Sequence, residues 1–200
     1  FGGIVLTDNQ TLIMSPEAQL FAIGNNQENS QIIWAFGRNN VVISGGKLVG
    51  ERNSHIGNRG EWGHGIRISG CTNVYIKDVE ISECWGDGIY LGKYDNTQLG
   101  NPSSNGVTIT NCNLHHNRRN NMSITDASNV TVSNSQFNNA SGTDPQYGID
   151  IEPNKNRTCS NVTISNCTFK GNAKGTIQIL GQLNAHVKGV TIENCIGDKA

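Results

Sequence analysis

Asn161-Val162-Thr163-Ile164, followed by Asn166-Cys167-Thr168-Phe169, is the stretch that decides the fold, because its pattern recurs along the chain. Related segments, each with a Val second and an Ile or Val fourth, begin at Asn40, Asn73, Gly106, Asn129 and Gly189. The valines of successive copies lie 33, 33, 23, 32 and 28 residues apart. This spacing indicates a tandem repeat with a base period in the twenties and occasional insertions.

Each repeat also contains a second short segment in which apolar residues flank a central residue. These segments are Ile66-Arg67-Ile68, Ile89-Tyr90-Leu91, Met122-Ser123-Ile124, Ile149-Asp150-Ile151 and Ile177-Gln178-Ile179. The alternation predicts three-residue strands with the central side chain pointing outward. Strands this short do not suit a sandwich of hairpins, in which consecutive strands pair antiparallel. They favour coils stacked on one another.

The pattern resembles the right-handed parallel β-helix over nearly the whole chain. The predicted fold class is therefore all-β, a right-handed single-stranded parallel β-helix of roughly seven to eight coils. We expect residues 1–200 to form one such domain and to be a piece of a longer chain, since the sequence opens with Phe1 and not with Met. Each coil rises about 4.8 Å, so equivalent residues stack in columns. The column of Asn111, Asn134, Asn166 and Asn194 is predicted to form a ladder of side-chain amides.

Composition excludes several classes of partner. The formal net charge is -1, from 15 basic and 16 acidic residues, and no basic block is present. This balance argues against nucleic acid or an anionic membrane as a partner. No segment approaches the ~18 apolar residues of a membrane-spanning helix. The cysteines and histidines lack zinc-type spacing, so we expect no metal or other cofactor, and the cysteines are predicted to be buried free thiols.

Two carboxylates on one coil are the first candidates for chemistry. Asp150 and Glu152 lie two residues apart, so both are predicted to point outward from one exposed face, about 7 Å apart at the backbone. Such a pair is typical of acid/base glycoside hydrolysis, in which ~6.5 to 9.5 Å between carboxyl groups is the inverting range. The alternative is a pair of solvated acids on a surface strand.

Asp87 is the third catalytic candidate. It lies in Trp85-Gly86-Asp87-Gly88-Ile89 and shares a column with His64, Asn120 and Tyr147. Two coils, or about 10 Å, should separate Asp87 from Tyr147 along the axis. Alternatively, Asp87 could hydrogen-bond its own turn and have no part in catalysis.

A neighbouring column is predicted to bind substrate. Trp62 and Trp85 on adjacent coils, with Arg118 next, would form a platform for sugar rings and an anchor for an acidic substituent. The alternative is an internal aromatic stack that closes the turn. Glu61 is the loop acid nearest these residues and a reserve general acid. His64 and Tyr147 complete the predicted substrate-binding set.

Three segments look like the β-helix of phage tailspike and tail-fibre proteins: Glu61–Ile66, Cys84–Tyr90 and Tyr147–Asn154. That resemblance implies a homotrimer, on a virion tail or otherwise extracellular, that binds a bacterial surface polysaccharide and cleaves it internally. Polygalacturonases are similar in fold, but here no second Asp adjoins Asp87, which makes pectin hydrolysis a poor fit. Mannuronan C5-epimerases and related lyases carry a Tyr and an Asp three residues apart, as Tyr147 and Asp150 are, but Glu152 stands where their His would be.

The sequence therefore predicts a glycoside hydrolase that acts on polysaccharide. A polysaccharide lyase or uronate C5-epimerase is the second hypothesis. It would use Tyr147 to move a proton and a cation such as Arg118 to neutralise the uronate. The third hypothesis is a non-catalytic glycan-binding or adhesin spike, in which Asp87, Asp150 and Glu152 could all be replaced without loss of function.

Overall fold

A computed structural model describes residues 2–198. The chain winds through three parallel sheets of seven strands each and forms a β-solenoid of about 6 turns. The predicted fold class is confirmed, with slightly fewer turns than the seven to eight coils expected.

Successive strands along the chain belong to sheets A, B and C in rotation. Sheet A contains β1 (Ile4–Val5), β4 (Asn29–Phe36), β7 (Trp62–Ser69), β10 (Ile89–Gly92), β13 (Met122–Ile124), β16 (Tyr147–Ile151) and β19 (Gly175–Ile179). Sheet B contains β2 (Thr11–Ile13), β5 (Asn39–Ser44), β8 (Thr72–Lys77), β11 (Ser104–Thr110), β14 (Ala127–Ser133), β17 (Thr158–Ser165) and β20 (His186–Glu193). Sheet C contains β3 (Gln19–Phe21), β6 (Lys47–Val49), β9 (Glu80–Ser82), β12 (Asn113–His115), β15 (Gln136–Asn138), β18 (Thr168–Lys170) and β21 (Ile196–Gly197).

The register of sheet A is the one that the repeats predict. Ile89 pairs with Ile66 on one side and with Met122 on the other, and the column continues through Ile149 to Ile177. The first four of these side chains are fully buried in the apolar core. Because side chains alternate along a strand, the residue after each of them faces outward from sheet A.

Asparagines hold the corner at which sheet B begins. Asn73, Asn129 and Asn161 each have φ 54°, a left-handed conformation that asparagine tolerates better than most residues. Hydrogen bonds between side-chain amides join neighbouring coils here, from Asn40 to Asn9 at 2.8 Å, from Asn73 to Asn40 at 3.2 Å and from Asn161 to Asn129 at 3.1 Å.

The amide ladder predicted in the Asn111 column is thus found at a different corner. Asn111 itself donates to Asp78 Oδ1 at 3.3 Å. Within residues 2–198, no hydrogen bond between side-chain amides links Asn134, Asn166 and Asn194 to one another. These asparagines instead supply left-handed turns, with φ between 51° and 55°.

The six cysteines are free thiols, of which Cys195 is partly exposed and the other five are buried. The prediction of buried free thiols is thus confirmed for five of the six, and Cys195 differs in being partly exposed.

Two long loops flank the outer face of sheet A. Residues 50–61 connect β6 to β7, and residues 93–103 connect β10 to β11 and include a 3-10 helix, Thr97–Leu99. No helix in the described part of the chain is both long and apolar enough to cross a bilayer. Polar side chains from several coils meet in the middle of sheet A, between these two loops.

Candidate active site on sheet A

The site is built from two columns that run across the coils of sheet A. One consists of outward residues in register, namely Trp34, Arg67, Tyr90, Ser123, Asp150 and Gln178. The other lies where the chain enters the strands and contains His64, Asp87, Asn120 and Tyr147. Parallel pairing brings these polar groups together although they lie far apart in sequence.

Asp87 is an internal anchor of the site. Its side chain is fully buried. Both carboxylate oxygens lie 3.3 Å from Arg119 Nη1, and Oδ1 also accepts the Asn120 backbone N–H at 2.9 Å. These bonds hold its charge inside the protein, and the side chain presents no open surface to a ligand.

His64 lies beside Asp87 and is also buried. Its Nδ1 accepts the Asp87 backbone N–H at 3.1 Å, and its ring stacks on Tyr90 with centroids 5.0 Å apart. Burial lowers the pKa of His64 to about 4, although the Asp87 charge opposes this shift. His64 is therefore neutral at neutral pH and positions the Asp87 backbone.

Arg119 links the buried and exposed parts of the site. Its Nε contacts Glu61 Oε2 at 3.1 Å, and its Nη1 lies 3.5 Å from Ser123 Oγ as well as contacting Asp87. The repeat pattern does not single out Arg119, because this residue lies in a short run of basic residues, His115–Arg119. Such runs are usually solvated. The signal in the sequence that could have identified Arg119 is its position immediately before Asn120, which lies in the Asp87 column.

Asp150 is buried, and the expectation that it lies on an exposed face is wrong. Only 1% of its surface is accessible. Asn120 Nδ2 donates to Asp150 Oδ2 at 3.3 Å and to Ser123 Oγ at 3.0 Å, so this polar group covers the strand where open solvent was expected. Asp150 Oδ1 is also buried but has no hydrogen-bond partner among the described residues.

Burial and, to a lesser extent, the nearby Glu152 charge raise the pKa of Asp150 to about 7, against the opposing charge of Arg119. Glu152 itself is partly exposed, and its Oε1 accepts from Gln182 Nε2 at 3.4 Å. Its backbone N–H donates to Ile124 O at 3.0 Å, so the chain stays extended past the end of β16. The two acids therefore occupy different environments, about 7 Å apart at the backbone, with Glu152 one residue past the end of β16.

The predicted two-indole platform is not formed. Trp62 is 46% exposed, whereas Trp85 is only 8% exposed. The Trp85 ring lies against His55, with centroids 3.8 Å apart, and against the Arg118 guanidinium, 3.6 Å from the ring centroid. Trp85 Nε1 also donates to Arg59 O at 3.2 Å. The structure thus matches the alternative, an internal stack, which here fixes the 50–61 loop.

The remaining predicted residues lie at the edges of the site. Arg118 donates to the carbonyls of Gly60 and Trp85, at 3.1 and 3.2 Å, so its guanidinium holds the loop. Tyr147 is partly exposed, and its backbone N–H donates to Asn120 Oδ1 at 2.8 Å. No group of three or more His, Cys, Asp or Glu side chains within residues 2–198 is arranged to hold a metal ion.

The arrangement can perform proton transfer. It combines a buried carboxyl group, whose pKa is raised to about 7, with a second, more exposed acidic side chain just past the end of the same strand. Environments that separate two acids in this way define acid and base roles in enzymes that cleave glycans.

Comparison with known proteins agrees with the fold. Residues 2–196 match the family described as "Right handed beta helix region", and the chain belongs to that family. The uncharacterized protein YclG of Bacillus subtilis is 34% identical over 209 residues, which cover 97% of this chain but 36% of YclG. The chain thus spans about a third of the length of that relative.

Two solved structures share the architecture. Bacteriophage phi29 gene product 12, in its pre-mature form, is 19% identical with a TM-score of 0.67, over 98% of this chain and 29% of the phage chain. The tailspike gp49 of Acinetobacter baumannii bacteriophage Fri1, a capsular polysaccharide depolymerase, is 19% identical with a TM-score of 0.51, over 84% of this chain and 33% of its own. At this level of identity, the likeness establishes the fold alone.

Proposed function

We propose that the protein binds a bacterial surface polysaccharide and cleaves it by hydrolysis on the outer face of sheet A. The observation that carries the proposal is the pairing of a buried carboxyl group, Asp150, with the more exposed Glu152, which lies two residues further on, just past the end of β16. Asp150 is the general acid, since burial preserves its proton, and Glu152 is the carboxylate that activates water or stabilises the oxocarbenium ion.

Substrate must reach Asp150 for this chemistry to occur. Its Oδ1 is buried and has no hydrogen-bond partner among residues 2–198, so a glycosidic oxygen placed there would accept a hydrogen bond from the protonated carboxyl group. Catalytic hydrogen bonds often tighten only when substrate is bound. The nearby groups that would move aside are side chains, above all Asn120, because the strands themselves are fixed in register.

Asp87 has a different role in this proposal from the catalytic one first expected. Its carboxylate is saturated by Arg119 and the Asn120 backbone, so it is a positioning residue that holds Arg119 and Asn120 next to Asp150. The tailspike likeness and the surface-polymer substrate together support action outside the cell or on a virion tail. A homotrimer is the corresponding assembly.

The decisive experiment incubates the protein with purified bacterial capsular and exopolysaccharides and follows the products. We expect new reducing ends without ultraviolet absorption from an unsaturated uronate. Reducing ends together with that absorption would mean elimination by a lyase. Altered uronate stereochemistry without cleavage would mean epimerisation, and tight binding without any chemical change would mean an adhesin. Each of the last three results contradicts hydrolysis.

A further inference from the structure

A cluster of aromatic rings surrounds one arginine on sheet A, outside the acidic pair. The Arg67 guanidinium carbon lies 5.1 Å from the Phe36 ring centroid and 5.3 Å from the Tyr90 ring centroid. Phe36 lies in turn 4.6 Å from Trp34 and 5.5 Å from Tyr94, centroid to centroid. All five side chains are partly exposed, so the aromatic rings are accessible to a ligand at the surface. We call these five residues the Arg67 cluster.

Arg67 forms no ion pair with any described residue. No carboxylate oxygen within residues 2–198 lies within 4.0 Å of its guanidinium. Its hydrogen bonds go to neutral oxygens, from Nε to Ser69 Oγ at 3.3 Å and from Nη1 to Asn29 Oδ1 at 3.2 Å. Asp95, an acid in the adjoining loop, is held by Lys93 Nζ at 2.6 Å.

A partly buried cation with no carboxylate in direct contact is unfavourable, because its hydration is reduced and the more distant Asp95 charge compensates only in part. Burial lowers the pKa of Arg67 from its ordinary value, which reflects the same loss of hydration. The aromatic faces compensate in part through cation–π contacts. The guanidinium still has N–H donors free for a planar anion, which it can bind in a two-pronged geometry.

The cluster is aligned with the acidic pair. Arg67 and Asp150 occupy the same outward column of sheet A, three coils apart, which corresponds to about 14 Å along the axis. A glycan chain lying along the solenoid axis could therefore contact both. Aromatic faces suit the apolar faces of sugar rings, and the cation suits a sugar carboxylate.

We propose that the Arg67 cluster is a binding subsite for a uronic acid residue of the polysaccharide, with the sugar ring against the aromatic side chains and its carboxylate paired to Arg67. This inference rests on the proposed function for the kind of polymer and adds its chemical class, a uronate-containing chain. It assigns no chemistry to Arg67, which binds substrate at a distance from the acids.

The test measures binding by isothermal titration calorimetry with oligogalacturonate and oligomannuronate, each as the free acid and as its methyl ester. We expect at least one free acid to bind at least tenfold more tightly than its own ester. Arg67→Gln should remove that difference, and Trp34→Ala should weaken binding of both forms. Arg38→Gln is the matched control, since Arg38 pairs with Asp8 at the surface, and it should bind as the wild type does.

Equal affinity for acid and ester, no binding of either acid, or full binding by a folded Arg67→Gln variant would each overturn the inference. If Arg67→Gln does not fold, the comparison of acid with ester in the wild type decides the matter alone. Binding without cleavage by the wild type would remove the proposed hydrolysis and leave this subsite intact, whereas cleavage of neutral glycans that is unaffected by Arg67→Gln would do the reverse.

Discussion

Replacing Asp150 by asparagine is expected to lower the rate of glycan hydrolysis by about 10²- to 10⁴-fold, the usual contribution of a general acid. The amide can keep the bond to Asn120 but cannot deliver a proton to the leaving oxygen. Glu152→Gln should cause a loss of similar size, because the second carboxylate is equally required. The measurement is the initial rate of reducing-end release on the polysaccharide that the wild type cleaves.

The role of Asp150 as general acid also predicts the direction in which activity changes with pH. Asp150 must be protonated to act as the acid, and burial raises its pKa to about 7. Activity of the wild type should therefore fall as the pH rises through about 7, and this limb should be missing from whatever activity Asp150→Asn retains.

Asp126→Asn is the matched control for both variants. Asp126 is buried too, burial raises its pKa to about 6, and its carboxylate contacts Arg157 and Ser103. A general effect of removing a buried acid would appear in this variant as well. Wild-type rates for Asp150→Asn, or equal losses in all three variants, would contradict the assigned roles.

Arg119→Met should lower the free energy of unfolding by about 3–5 kcal/mol, the cost of leaving a buried charge without its partner. Asp87 is fully buried, and Arg119 Nη1 lies 3.3 Å from both of its carboxylate oxygens. After the substitution, the Asn120 N–H would still contact Asp87, but the opposite charge would be gone. Urea denaturation at neutral pH measures the loss.

Arg38→Met provides the comparison for this variant. The Arg38 pair with Asp8 is longer, at 3.8 Å, and both side chains are 40% or more exposed, so its removal should cost under about 1 kcal/mol. The double variant Asp87→Asn/Arg119→Met should recover part of the stability, since it removes the unpaired charge. Equal effects of Arg119→Met and Arg38→Met would show that Asp87 does not depend on Arg119.

The coils and their register follow from the sequence for a simple reason. The repeated Asn-Val segments and the alternating apolar residues from Ile66 to Ile177 report local requirements, a left-handed corner and an inward side chain. These requirements are the same in every coil, so they can be recognised without knowledge of the neighbours. The columns of sheet A, including the one with Asp150, could therefore be assigned in advance.

Burial within those columns could not be assigned in the same way. Asp150 is covered because Asn120 turns toward it from the preceding coil, and Trp85 is covered because the 50–61 loop folds over it. Both depend on side-chain directions at turns, which the strand alternation does not specify. The Arg67 cluster was missed because Trp34 and Phe36 lie before the first clear repeat of sheet A and Tyr94 lies in a loop.

The account depends above all on the claim that burial on sheet A makes Asp150 an acid that keeps its proton near neutral pH. A ¹³C NMR titration of the Asp carboxyl groups, with Asp150→Asn used to assign the signal, tests that claim directly. We expect the Asp150 carboxyl carbon to titrate with a midpoint near 7, well above the value of about 3.9 for an unperturbed aspartate. A midpoint near 4 or below would mean that Asp150 is ionised at neutral pH, and it would contradict its assignment as the general acid.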